Sequence, residues 1–247
     1  MLPIVFINLD RDLVRRQALD AQLERLGLSA NRLPGVLWGD LSAEAQQRLY
    51  DPVLNARAYP RPLVAGEKGC YASHLRAAEH LLASNAPAHI VLEDDVLLSD
   101  AFLDVISAVA RLPDWWDMIK FNSRDRERPL ARRTLCPGHE LIAYRRVPSM
   151  GTGYAMSRRG AEKMLVSRVP FGRPVDVDFR YWWECDWQVL GVMPGVVTLS
   201  DQAAKSSIWS ERPDFEWAQR LQKWRLQLGY SVLNAAHRSA HTIPPSL

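Results

Sequence analysis

Apolar residues along this chain fall into two kinds of run. Short continuous stretches bounded by polar clusters include PIVFINL at 3–9, HIVLEDDVLL at 89–98, MIKFN at 118–122 and LIAYRRV at 141–147. Their length and Ile/Val content predict strands buried on both faces. Other stretches carry apolar residues at helical spacing. Leu19, Leu23 and Leu26 precede Gly27, which is placed to terminate a helix. GEKGCYASHL at 66–75 opens a helix with Ala72, Leu75, Ala78 and Leu82, and Phe102, Val105, Ile106 and Val109 follow a candidate cap at Ser99 or Asp100.

The intervening segments complete the pattern. SANRLPGVLW reads as a second strand, and SMGTGYAMSRRGAEKML as turn, strand and a helix capped by Ser157, with a further strand in VLGVMPGVVTL. Asp51 to Pro62, with three prolines, reads as a surface loop. Arg124, Arg126, Arg128, Arg132 and Arg133 read as a flexible basic loop, either simply solvated or facing an anionic acceptor or lipid headgroup. Strands alternating with helices predict an α/β fold: a single Rossmann-like domain with a mostly parallel central sheet flanked by helices, over residues 1–208. Residues 209–247 form a C-terminal amphipathic helical extension, with Trp217, Leu221, Trp224 and Leu228 on one stripe near Arg220, Lys223 and Arg225. Such a stripe packs on its own domain or lies on the anionic inner face of a membrane.

Composition narrows the class. With 247 residues and 47% hydrophobic content the chain can bury a sizeable core, and a net charge of +3 does not call for nucleic acid as a partner. Cys70, Cys136 and Cys185 are odd in number with no CxxC, which argues against a disulfide framework or zinc knuckle and for a reducing, cytoplasmic setting. No stretch reaches the roughly 18 apolar residues of a membrane span, and the N-terminus lacks the features of a signal peptide.

The chemistry concentrates at strand ends. HIVLEDDVLL terminates in Glu93, Asp94 and Asp95. Alternation along a strand predicts that Glu93 and Asp95 share a face while Asp94 points away. Two hard oxygen ligands suit Mn²⁺ or Mg²⁺ beside a phosphate; an acidic turn that merely caps the next element reads equally well. Asn8, Asp10 and Arg11 follow the first strand, and Arg15 and Arg16 belong either to a diphosphate site or to a solvated helix face. Asp176 and Asp178 precede three aromatics in RPVDVDFRYWWE, as a helix start with core aromatics or as a carboxylate beside a sugar-stacking ring. There is no GxGxxG. Cys70 reads as a small buried hydrophobe.

The ordered set INLDR (7–11), GEKGCYASH (66–74), VLEDDV (91–96), GTGYAMSRRGAEKML (151–165), PVDVD (174–178) and a late Gln with SSI (202–208) resembles glycosyltransferase family 25. That family includes bacterial lipooligosaccharide galactosyltransferases and collagen galactosyltransferases. The resemblance implies a GT-A-like fold, a UDP-sugar donor, usually UDP-galactose, a glycan or glycolipid acceptor, Mn²⁺ or Mg²⁺, and inversion at the anomeric carbon. It implies Glu93 and Asp95 as metal ligands. Asn8, Asp10, Arg11, Gly66, Glu67, Ser73, His74, Asp94, Gly153 and Tyr154 would line the donor site, and Asp176 or Asp178 would serve as the base. Lys68 departs from the family pattern, where an apolar residue is expected. A metal-dependent phosphohydrolase or nucleotidyltransferase, and a non-catalytic nucleotide-sugar-binding protein, are the rival classes.

Overall fold

The computed structural model describes residues 1–124, 127–200 and 217–244. Arg126, the Gln202 to Ile208 motif and the expected domain boundary at 208 lie outside the described residues. From the N-terminus the chain runs β1 (Ile4–Asn8), α1 (Leu13–Arg25), β2 (Asn31–Pro34), α2 (Ala43–Leu49), α3 (Pro52–Ala58) and α4 (Ala65–Ala83). It continues through β3 (Ala88–Glu93), β4 (Val96–Leu98), α5 (Phe102–Val109), β5 (Met118–Lys120), β6 (Ala131–Cys136), β7 (His139–Ala143), β8 (Gly153–Ser157) and α6 (Arg158–Ser167). The last elements are α7 (Val175–Asp178) with a 3-10 turn at Phe179–Glu184, β9 (Val189–Met193), β10 (Val197–Leu199) and α8 (Trp217–His237).

Eight strands form one sheet in the order β2-β1-β3-β8-β5-β9-β7-β6. Only β8 and β7 run against the rest, because β8 pairs antiparallel with β3 and β5, and β7 with β9 and β6. The sheet is therefore mostly parallel, as the α/β alternation predicts. Its central strands β1, β3, β5, β8 and β9 are almost wholly apolar because both faces are covered there, whereas the edge strands β2 and β6 carry exposed polar residues. Ile4, Phe6, Ile90 and Leu92 point into a core with Leu19, Leu23, Phe102, Val105 and Ile106 from α1 and α5. Val5 and Val91 point the other way, against Tyr71, Leu75 and Ala78 of α4 and Ala161 and Met164 of α6. Each such fully buried aliphatic side chain contributes about 1.5–3 kcal/mol.

Several local expectations are corrected. The 51–62 stretch is a loop only after Ala58: α3 starts at Pro52, with Asp51 accepting from the Val53 and Leu54 amides at 2.7 and 3.2 Å. Proline at the first helical position behind an aspartate cap is a helix start, and the prolines hid it. The basic stretch is partly strand, since Arg132 and Arg133 lie on β6 and Arg132 pairs with Glu140 at 3.1 Å. Neither Ser99 nor Asp100 caps α5 by a side chain; the Phe102 amide instead bonds the Ser99 carbonyl at 3.0 Å. Other signals hold. Gly27 adopts φ +67° just past α1, and the Ser157 hydroxyl accepts from the Gly160 amide at the start of α6.

Candidate active site

β1 and β3 are parallel neighbours from which the chain continues toward opposite edges of the sheet, to β2 and to β5, and the crevice beyond their carboxyl ends is where such sheets take ligands. Asn8 ends β1 and Glu93 ends β3. Because Glu93 follows Val91 by two residues, it inherits the α4 side of the sheet and meets that helix. Its Oε1 lies 3.1 Å from His74 Nε2 and 4.0 Å from Cys70 Sγ. His74 Nδ1 is 2.7 Å from the Tyr154 hydroxyl. The Glu93 carboxylate and the Tyr154 hydroxyl thus hold the His74 ring from both nitrogens.

Asp94 and Asp95 do not follow the expected alternation. The strand stops at Glu93 and a turn carries both aspartates, so Arg15 reaches Asp94 Oδ1 at 3.4 Å and Asp95 Oδ2 at 3.7 Å. Asn8 Nδ2 donates to Asp94 Oδ2 at 2.7 Å, while Asn8 Oδ1 accepts from Arg32 Nε at 2.9 Å. Asp10, with an exposed carboxylate, pairs with Arg32, and Arg11 is exposed next to it. Asp95 is buried, and its Oδ1 has no hydrogen-bond partner among the described residues. Burial first, then the neighbouring Glu93, push its carboxyl up to about 7; burial also raises Asp94, against the pull of Asn8 and Arg15.

Of the residues expected to line the donor pocket from α4, two are engaged in holding the helix. Glu67 is buried in a bidentate pair with Arg61 at 2.7 and 2.8 Å, and it accepts from the Val64 amide at the helix start. Ser73 accepts from the Val36 amide and donates to the Gly69 carbonyl, both at 2.8 Å. That arrangement needs glycine at 69, where a β-carbon would stand 2.4 Å from the Val36 carbonyl oxygen. Gly66 sits half-buried in the first turn. Gly153 lies opposite Leu92 in the β3–β8 ladder, and a β-carbon there would be 2.9 Å from Val197. Lys68 rests over the Tyr50 ring at 4.2 Å, so its ammonium takes the place of an apolar side chain by stacking on an aromatic wall.

The two aspartates of PVDVD separate completely. Asp178 is buried and accepts from Tyr71 at 2.5 Å and Arg173 at 2.7 Å, with Arg168 at 3.3 Å. Glu184 completes that network through both arginines. Asp176 faces the crevice: its Cβ and Glu93 Oε1 lie 3.8 and 3.9 Å from the point where a Gly151 β-carbon would stand. Asp176 and Glu93 thus converge on Gly151, beside the ring of Phe179. Lys120, fully buried at the end of β5, donates to the Pro148 carbonyl at 2.7 Å; burial lowers it to about 7, opposed by the charge of Asp176.

A divalent cation is tested by the donors themselves. The unpartnered Asp95 Oδ1 and the Glu93 carboxylate supply hard oxygens whose mutual repulsion a cation would relieve, which fits Mn²⁺ or Mg²⁺. Among the described residues, Cys70, His74 and Glu93 also place ligand atoms within 4.8 Å of one another. A softer ion there is less suited: His74 already bonds Glu93 and Tyr154, and burial with nearby carboxylates pushes the Cys70 thiol well up, so it keeps its proton.

Lys120 and Gly151 are site residues that sequence reasoning did not single out, and Cys70, read there as a small buried hydrophobe, also borders the site. For Cys70 the signal was present, since it lies four residues before His74 on one helix face. Comparison with known proteins bears on the assembled site. The family model described as "Glycosyltransferase family 25 (LPS biosynthesis protein)" matches residues 1–179. A "Glycosyltransferase 25 family member" from Aedes aegypti is 30% identical over 181 residues, 71% of this chain and 29% of that protein. Its Anopheles gambiae counterpart is 29% identical over 71% of this chain and 30% of its own length. "Procollagen galactosyltransferase 2" from Mus musculus is 28% identical over 48% of this chain and 19% of its own. The chain thus spans less than a third of the length of these relatives.

Proposed function

Since the chain belongs to glycosyltransferase family 25, we propose that it transfers galactose from UDP-galactose, with inversion, to a hydroxyl of a glycan or glycolipid acceptor of the lipooligosaccharide or lipopolysaccharide type. The proposed setting is the cytoplasm. The observation that carries this reading is the under-compensated acid cluster at the end of β3, where a buried Asp95 oxygen beside Glu93 has no partner among the described residues.

Glu93 and Asp95 would hold the cation, which when bound neutralises charge on the donor diphosphate. His74 and Tyr154 fix the Glu93 carboxylate, and Asn8 and Arg15 fix Asp94. Arg15 also supplies positive charge at the mouth of the crevice, where negative charge grows on departing UDP. Asp176 is the proposed base: it takes the proton from the acceptor hydroxyl as the oxygen bonds to the anomeric carbon and the bond to the diphosphate breaks. Asp178, saturated by Tyr71, Arg168 and Arg173, is assigned to holding α7 in place.

UDP release, measured with UDP-galactose, UDP-glucose and UDP-N-acetylhexosamines, with and without Mn²⁺ and truncated lipooligosaccharide acceptors, tests the reading. Acceptor-dependent UDP release supports it. Release of phosphate or pyrophosphate instead would point to a hydrolase or nucleotidyltransferase.

A further inference from the structure

The C-terminal helix turns the wrong face outward for a helix that serves only its own domain. At about 100° per residue, Trp217, Leu221, Trp224, Leu228 and Val232 fall on one stripe, and these five side chains are 52% to 79% exposed. The opposite side does the packing: Tyr230 and Asn234 are buried, Asn234 donates to the Arg145 carbonyl at 2.9 Å, and the Tyr230 ring packs edge-on against Tyr181. The reading of the Trp/Leu stripe as the face packed on the domain is therefore corrected. Over about 22 Å of helix the chain presents two indoles and three aliphatic side chains to solvent.

Charge says what covers them. From Trp217 to Pro244 there is no aspartate or glutamate, whereas Arg220, Lys223, Arg225 and Arg238 are all present and exposed. On the helical wheel Arg220 and Arg225 flank the stripe on either side, each about 60–80° from its centre. An apolar stripe rimmed by cations, with tryptophans that favour the headgroup region, matches an anionic bilayer surface. We propose that α8 lies in the plane of an anionic lipid bilayer, with the Trp217 to Val232 stripe inserted and Arg220 and Arg225 at the headgroups. Arg180, four residues beyond Asp176, stacks over Tyr230 at 4.2 Å, so the helix is tied to the segment that carries the proposed base. The docking itself does not depend on which sugar is transferred.

The test is sedimentation of the full chain with phosphatidylcholine vesicles, with and without phosphatidylglycerol, alongside light scattering in solution. Wild type should sediment with the phosphatidylglycerol vesicles and be released by added salt, whereas the double variant Trp224→Glu/Leu228→Glu should lose at least about tenfold in bound fraction. Its unfolding midpoint should stay unchanged, because both side chains face outward. Arg225→Glu should give a smaller loss. No binding, or equal binding to neutral and anionic vesicles, would overturn the proposal. So would a wild-type dimer that the double variant converts to monomer, which would make a second copy the occupant. UDP release with a water-soluble acceptor is read separately, so failure here leaves the transferase reading standing or falling on its own.

Discussion

Two carboxylate clusters, each with a buried aspartate, meet α4, one through Tyr71 and the other through His74, and they are built on opposite principles. Around Asp178 and Glu184, every acid is matched: two arginines and a tyrosine hydroxyl surround them, and the arginine contacts hold the Glu184 carboxyl below its usual range despite burial. Around Glu93, Asp94 and Asp95 the matching is incomplete. Arg15 and Asn8 serve mainly Asp94, one Asp95 oxygen has no partner among the described residues, and its carboxyl rises to about 7. A fold that meant only to bury acids would have treated both clusters alike. Leaving charge uncompensated in one place costs stability, and such expense collects where a ligand is to supply what is missing.

The largest effect expected from breaking this contrast is on turnover. Asp176→Asn should lower kcat about 10²–10⁴-fold while leaving UDP-galactose affinity intact, measured by single-turnover kinetics and calorimetry. Loss of donor affinity instead would make Asp176 a binding residue. Its neighbour two positions on should behave differently. Asp178→Asn strips a charge from Arg168 and Arg173 and should cost about 3 kcal/mol of unfolding free energy in denaturant titration, with turnover per folded molecule retained.

A smaller effect sharpens the role assigned to α4. His74→Gln removes the group that orients Glu93, and should raise the Mn²⁺ concentration for half-maximal activity about 10–100-fold. An unchanged Mn²⁺ dependence would leave His74 with a packing role only.

The smallest predicted effect comes from a group outside both clusters. Burial, with His80 adding to it, holds His89 down to about 4 from its ordinary 6.5, and its Nδ1 has no partner. The unfolded chain binds this proton and the folded chain does not, so the His89 contribution is fully present above pH 6.5 and is lost as pH falls toward 4. His89→Gln should flatten the acid-unfolding curve between pH 6.5 and 4, which separates it from any acid sensitivity of the carboxylates.

Much of this was legible in the chain, for reasons that are local. Continuous apolar runs become strands because both faces of the sheet are covered, Gly27 and Ser157 act within their own turns, and the acid triplet marks a strand end by adjacency. What was not legible depends on partners far off in sequence. Glu67 and Ser73 share a motif with His74, yet only His74 reaches the crevice, because Arg61 and the Val36 amide claim the other two. Asp176 and Asp178 are indistinguishable until Tyr71 arrives from α4 and Arg168 from just past α6. The turn after Glu93 likewise defeats strict alternation, since Arg15 on α1 draws Asp94 and Asp95 together. The short helices α2 and α3 offered too few periodic positions, although Ser42 and Asp51 cap them.

The unmatched cluster is most directly tested by calorimetric titration of UDP-galactose into wild type and Asp95→Asn, each with Mn²⁺ and with EDTA. Wild type should bind the donor with Mn²⁺ and lose it in EDTA, and Asp95→Asn should bind at least about tenfold more weakly with Mn²⁺ present. Equal donor affinity in all four titrations would contradict a cation-dependent diphosphate site at Glu93 and Asp95.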